Sequence, residues 1–334
     1  MATVEERESW LSSRVGGLGG SDLPAILGLS AFKTPIEVWE SKVHPESVPE
    51  IDKEILWFGN ALEPIIRQRY AMVFGVDVVE PKDIGNYFPN SRRFKDQTIV
   101  TGRESWMLGT ADGWIPSAVT GLEIKNVGRK NRDEWGDNDT DDMPAMYFTQ
   151  SHWYCDVHEA KAWNVAPLFS GNTLGHYQVR FDQQLAKDMY EAARAFWFDF
   201  VVPKVEPPID QTESYGRYLA RKFSLNTGKI LQPTPEIIKW TSEMKVADDA
   251  EKEAGERKQL ANNHLRALLG DAQKCVTTMG TLGWVRPEEK EVTDFAAVGK
   301  ECEEFLPAIV YDPIVKKHTA TKQNAAYLRA WWKK

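Results

Sequence analysis

Residues 109–125 read Gly-Thr-Ala-Asp-Gly-Trp-Ile-Pro-Ser-Ala-Val-Thr-Gly-Leu-Glu-Ile-Lys. Two strand-like segments, Trp106–Trp114 and Thr120–Val127, flank the turn-rich IPSAVTG, which predicts a hairpin. Side chains alternate along a strand, so Glu123 and Lys125 share one face, while Leu122 and Ile124 point into a core. Asp112 stands eleven positions before Glu123, at the end of the first strand. Folding the hairpin gathers two carboxylates and one ammonium at a sheet edge. Glycines and small residues beside Asp112 leave room for an ion and a backbone. Hard oxygen ligands of this kind suit Mg²⁺, with Mn²⁺ an acceptable substitute. Such an ion supports phosphodiester hydrolysis, with Lys125 orienting the water and neutralising charge on the phosphate. Taken alone, an E-x-K strand is equally compatible with a surface ion pair.

Working outward, Lys53–Phe74 has apolar residues at 55, 58, 62, 65, 66 and 73, which predicts a long helix. Glu63 sits in an apolar part of it, as a solvent-facing residue or as a third carboxylate. Upstream, the glycines at 16, 17, 19 and 20 forbid a regular helix. Ser21 then reads as an N-cap, with Asp22 and Pro24 in the first turn of a short helix ended by Gly28. A short helical stretch is expected over Glu5–Leu11, a helix over Pro35–Lys42 and a strand over Val76–Val79. Downstream, a helix over residues 144–158 is followed by strands at Ala160–Phe169 and Gly175–Phe181. Asp182 then caps a helix with Leu185, Met189, Ala193 and Phe196 on one face.

The proline-rich Val202–Pro208 closes this region, which places a domain boundary near residue 210. Beyond it, Pro235–Leu269 predicts one long helix with a narrow seam of Trp240, Met244, Ala247, Ala250, Ala254, Ala261, Leu265 and Leu268, interrupted near Arg257. A hairpin follows over Lys274–Arg286. The tail from Lys316 has six basic residues, no acidic ones, and the pair Trp331-Trp332, which fits either a solvated end or contact with a DNA backbone.

The 334 residues carry 41 Lys+Arg against 49 Asp+Glu, a net charge of −8. The acidic excess lies in residues 1–210, at −11, while residues 211–334 carry +3. A bound cation reverses local sign, so the net charge does not exclude a phosphodiester substrate. No apolar run reaches the roughly 18 residues of a membrane span, and MATVEERESW has no apolar h-region of a secretory signal. Three scattered cysteines, Cys155, Cys275 and Cys302, exclude a disulfide framework and a four-cysteine iron–sulfur cluster. The expected location is a bacterial host cytoplasm.

Five blocks fall in order: G-G-S-D-x-x-A-I-L-G-L-S from Gly19, W-F-G-N-x-L-E-P from Trp57, G-T-A-D-G from Gly109, L-E-I-K from Leu122 and Q-x-x-W-Y from Gln150. This order resembles the YqaJ-like viral recombinase family, which includes lambda exonuclease, within the PD-(D/E)xK nuclease superfamily. The resemblance covers about residues 8–205. It implies an α+β fold, with a restriction-endonuclease-like core: a central mixed β-sheet flanked by helices, here carrying a C-terminal helix-plus-hairpin extension. It implies that Asp112, Glu123 and the carbonyl of Ile124 bind metal, that Glu63 supports the metal site, and that Lys125 is the catalytic lysine. It further implies a pocket for a 5′-phosphate formed by Arg14, Ser21 and Gln150. The activity implied is Mg²⁺-dependent 5′→3′ exonuclease action on linear double-stranded DNA, leaving 3′ single strands for phage-type recombination. A single-strand annealing protein and a homotrimeric ring are the implied partners. An endonuclease or a nuclease of other polarity on the same fold, and a non-catalytic DNA-end-binding scaffold, are the rival readings. His152 and His158 read as packing residues.

Overall fold

A computed structural model describes residues 15–47, 53–223, 228 and 230–284. The chain divides into two compact units, Met1–Lys222 and Phe223–Lys334. The first contains α1 (Asp22–Ile26), α2 (Pro35–Val43), α3 (Lys53–Phe74), β1 (Ser91–Phe94), β2 (Gln97–Thr101), β3 (Leu108–Gly109), β4 (Gly113–Ile115), β5 (Thr120–Val127), α4 (Ala145–Val157), β6 (Ala162–Phe169), β7 (Thr173–Leu174), β8 (Tyr177–Arg180), α5 (Gln183–Phe196) and α6 (Glu213–Lys222). The second contains α7 (Pro235–Leu269) and the hairpin β9 (Lys274–Thr277) and β10 (Gly280–Gly283).

The central sheet runs β4-β5-β6-β7, with β8 also paired to β6. β4 and β5 are antiparallel, with Gly113 opposite Leu122 and Ile115 opposite Thr120. β5 and β6 are parallel, from Gly121 opposite Trp163 to Val127 opposite Phe169. The connection between these parallel strands carries α4, as a crossover must. The mixed sheet with flanking helices is the expected α+β architecture.

Leu122 and Ile124 are buried with Ile66 and Tyr70 of α3, so that face of β5 is sealed by the long helix. A larger core joins Leu23, Ile36, Trp39, Met107, Trp153 and Trp163 with Met189, Ala193 and Phe196 of α5. Asp182 caps α5 by accepting from Leu185 N at 2.7 Å. α2 is closed by Thr34 and Glu37 in a reciprocal capping box.

Several expectations need correction. Trp106–Trp114 is not one strand: it breaks into β3 and β4, which lie in different sheets, with Asp112 in the break. The three-stranded sheet β1-β2-β3 was not expected: β1 is short and carries Arg92 and Arg93, and β2 has only Ile99 and Val100 as apolar residues. Val76–Val79 is not a strand; Val79 makes a single bridge to Trp114. The chain divides after Lys222 and not near residue 210, because α6 buries Tyr215 and Tyr218 in the core of the first unit. Ser21 stands at the N-cap position of α1, but its side chain makes no capping bond. Asp22 instead turns back to the preceding loop, accepting from Gly19 N at 3.0 Å. The predicted stretch Glu5–Leu11 and the tail from Lys316 lie outside the described residues. Among the described residues, no helix is long and apolar enough to cross a membrane.

Gly121 permits close strand packing: a Cβ there would lie 2.2 Å from the Trp163 indole. Trp163 is fully buried. Overpacking at such a position costs about 2 kcal/mol. Gly121→Ala is therefore expected to lower the unfolding free energy by that amount, read as a lower urea midpoint at an unchanged m-value. An unshifted midpoint would show that the indole is not confined there.

Candidate active site

The site is built where β4 stops short. Asp112 N donates to Leu122 O at 3.1 Å, continuing the antiparallel ladder by one bond. Two residues further along β5, beyond the last β4 pair, Ile124 N donates to the Asp112 side chain, at 2.7 Å from Oδ2. The carboxylate thus substitutes for a missing strand carbonyl. A strand residue sends its N–H and C=O to the same edge, so the Ile124 carbonyl also faces the open edge beside Asp112.

Glu123 and Lys125 share the opposite face of β5 from Leu122, as the alternation predicts. Glu123 is buried, and Lys125 Nζ donates to its Oε1. Gln150 Nε2 donates to the same oxygen at 2.8 Å and to Tyr154 Oη at 3.2 Å. Gln150 and Tyr154 are one turn apart on α4, which brings both side chains to one face. The Lys125 ammonium also lies 5.2 Å from the Tyr147 ring centroid.

α3 supplies Glu63 and Arg67, again one turn apart. Arg67 Nε donates to the Asp112 carbonyl at 2.6 Å, which ties the long helix to the strand break. Arg67 was not singled out from the sequence. The signal available was the i, i+4 acid–base pair facing a predicted site carboxylate.

The electrostatics show three carboxylates held close enough to resist ionising together. Burial, reinforced by the charge of Asp112, pushes the Glu123 carboxyl up to about 8. Burial and Asp112 likewise push Glu63 up to about 7, against the pull of Arg67 and Lys125. Burial also raises Asp112. For Lys125, burial opposes the charged form, but Glu123 and Asp112 outweigh it and hold the pKa above the ordinary lysine value.

Among the described residues, no three His, Cys, Asp or Glu side chains already form a metal cage. The donor set nevertheless fits a hard divalent cation. Oδ1 of Asp112, Oε2 of Glu123 and both Glu63 oxygens carry no hydrogen bond among the described residues, and positive charge would relieve their mutual repulsion.

The expected phosphate pocket is only partly assembled. Arg14 lies outside the described residues. Exposed Ser21 lines a small cleft with Gly17, Gly19, Gly20, Lys42, Thr110 and Tyr154. Gln150 does not line it: its amide is committed to Glu123 and to Tyr154, whose ring forms the cleft wall. Gly20 allows that wall to approach, since a Cβ there would lie 2.5 Å from the Tyr154 ring. Asp22 forms the floor, buried and held ionised by Lys33 and Lys42, each 2.7 Å away. Those two ammonium groups overcome its burial and keep its carboxyl far below the usual range.

Both histidines are packing residues. His158 Nδ1 lies 2.9 Å from Tyr154 O, and burial lowers its pKa to about 4. His152 Nε2 accepts from Asp182 N at 2.9 Å, and burial lowers its pKa too.

Residues 9–161 match the model of the YqaJ-like viral recombinase domain. The family resemblance carried by the five sequence blocks is therefore sustained. A similar protein is the uncharacterized protein YqaJ of Bacillus subtilis (strain 168), 28% identical over 220 residues. That match covers 65% of this chain and 64% of the relative, just short of two thirds of the relative's length. Among solved structures, an alkaline exonuclease (LHK-Exo) from Laribacter hongkongensis is similar at 15% identity and a TM-score of 0.44, covering 65% of this chain and 98% of that one. A phage related exonuclease from Haemophilus somnus 129PT is similar at 12% identity and a TM-score of 0.38, covering 56% and 96%.

The carboxylate cluster predicts a pH signature in the cation-free protein. Glu63 is raised from 4.5 to about 7. A carboxyl raised on folding contributes stability that is complete below its unfolded value and is lost as pH rises through its folded one. Glu63→Gln removes that loss. In EDTA, the substitution is expected to raise Tm by about a few degrees at pH 8 and to leave Tm unchanged at pH 4. A gain that is equal at both pH values would show that the ionisation of Glu63 is not its cause.

Proposed function

We propose that this chain is a divalent-metal-dependent deoxyribonuclease, acting 5′→3′ as an exonuclease on linear double-stranded DNA. The observation that carries this reading is the convergence of Asp112, Glu123 and Lys125 on one strand edge, with Glu63 brought in from α3. The YqaJ-like match over residues 9–161 supports a role in processing DNA for recombination.

Asp112, Glu123 and the Ile124 carbonyl would hold Mg²⁺, with Mn²⁺ as a substitute, and Glu63 would support the site. When bound, the cation polarises the scissile phosphate and acidifies a water. Hydrolysis joins the water oxygen to phosphorus, breaks a P–O bond and leaves a proton on the departing oxygen. Lys125 stays charged through this exchange and neutralises the charge gathering on the phosphate. Gln150 and Tyr154 fix the Glu123 carboxylate. Gln150 is thus a positioning residue, and its place beside Glu123 is compatible with a substrate end lying near the Ser21 cleft. Ser21, with Arg14, would receive the 5′-phosphate and set the polarity. A single-strand annealing protein and a trimeric ring complete the reading.

The test is Mg²⁺-dependent digestion of a linear duplex labelled at either end, with and without 5′-phosphates, beside a covalently closed circle. Release from the phosphorylated 5′ end with the circle spared is the expected outcome. Lys125→Ala is expected to keep its fold and to lose about 100-fold or more in rate. Cutting of the circle would favour the endonuclease reading, and DNA binding without cleavage the scaffold reading.

A further inference from the structure

The second unit carries a surface that the nuclease reading does not use. α7 is 35 residues long, about 52 Å at 1.5 Å per residue. Among the described residues none of its side chains is buried, although Trp240 is 62% and Leu268 83% exposed. The apolar seam follows a heptad without a break in phase. Its a positions are Ile237, Met244, Glu251, Lys258 and Leu265, and its d positions are Trp240, Ala247, Ala254, Ala261 and Leu268. The interruption near Arg257 is therefore not a loss of register. It is a pair of opposite charges, Glu251 and Lys258, placed in the seam itself. Single polar residues at a positions fix the register and orientation of a coiled coil at some cost in stability.

We propose that α7 pairs antiparallel with α7 of a second copy of this chain. Antiparallel packing sets a positions against d positions of the partner helix. One register aligns the whole seam. It sets Ile237 against the second copy's Leu268, Trp240 against its Leu265 and Met244 against its Ala261, so bulky residues close both ends. In the middle, Lys258 packs its stem on the second copy's Ala247, and Glu251 meets the second copy's Ala254. Glu251 then lies one helical turn from the second copy's Lys258, and the two-fold axis repeats that ion pair. A parallel pair would instead stack Glu251 on Glu251 and Lys258 on Lys258. The charge pattern thus selects a second copy in the antiparallel sense, since a partner of unrelated sequence supplies no such complement.

The inference does not rest on the nuclease reading, because its test uses no DNA. Full-length chains lacking Cys275 and Cys302 are prepared with Met244→Cys or Ala261→Cys, mixed, and oxidised gently. A disulfide is expected between the two kinds of chain and not within either alone, because the two copies of residue 244 lie 17 positions, about 25 Å, apart along the pair. Adding Glu251→Lys to both chains is expected to cut the cross-linked yield about tenfold. Adding Lys258→Glu as well is expected to restore it. Both changes are on an exposed helix, and unchanged far-UV circular dichroism confirms the fold. Cross-linking of Met244→Cys with itself would overturn the antiparallel sense. Absence of mixed cross-links would overturn the pairing, leaving the seam to another segment of the chain or to a different protein. Failure of the double charge exchange to restore the yield would remove the ion pair as its determinant.

Discussion

The hydrogen bond from Ile124 N to Asp112 Oδ2 holds the site together, because it converts the premature end of β4 into a place for a carboxylate. Had β4 run on, a backbone carbonyl would satisfy Ile124 and no side chain would be needed at that edge. With the strand beginning only at Gly113, the buried N–H needs an acceptor, and Asp112 supplies it with one oxygen while its other carries no hydrogen bond among the described residues. The same bond holds Asp112 opposite Glu123, one step beyond the Gly113–Leu122 pair of the ladder. Structure and chemistry are coupled here: the acid that completes the sheet is also the acid that faces the edge.

That arrangement concentrates negative charge, and the surrounding elements are organised to tolerate it. Lys125 neutralises Glu123 from the same strand face, two residues away. Arg67 offsets Asp112 and Glu63 from α3, while spending its hydrogen bond on the Asp112 carbonyl. Gln150, a neutral donor, satisfies Glu123 without cancelling its charge. Burial first, and then the charge of Asp112, raise the carboxyl pKa values of Glu63 and Glu123. A site with full internal compensation would have no reason to prefer a cation; this one is left short of positive charge.

Sequence alternation was enough to read β5 correctly, because an eight-residue strand with one apolar and one charged face has few other solutions. It was also enough for α3 and α7, whose bounds follow helical periodicity. Reading Trp106–Trp114 as one strand failed for a physical reason. The residues that interrupt it, Thr110, Ala111 and Asp112, are small or polar, and nothing local says that Leu108 and Gly113 join different sheets. α6 was missed because its anchors, Tyr215 and Tyr218, lie among charged neighbours, and only the tertiary core shows which face they bury. Gln150 stood in a recognisable block, but its target did not: only the placement of α4 over β5 directs the amide to Glu123.

Asp22 carries the same lesson into the glycine loop. As a residue in the first turn of a helix it looked like a dipole partner, yet α1 has only five residues and little dipole to offer. Its burial beside Lys33 and Lys42 gives it a different task. An ionised carboxylate there accepts the Gly19 N–H, pairs with the partly exposed Lys33 and anchors the Lys42 ammonium, which would otherwise be costly to bury. Loop, lysines and acid therefore stand or fall together. Gly20 lets this anchored loop press against Tyr154, and Tyr154 bonds Gln150, which bonds Glu123. A continuous line of packed and hydrogen-bonded groups thus joins the glycine loop to the carboxylate cluster. The loop that forms one wall of the cleft is held in register with the edge where the acids converge.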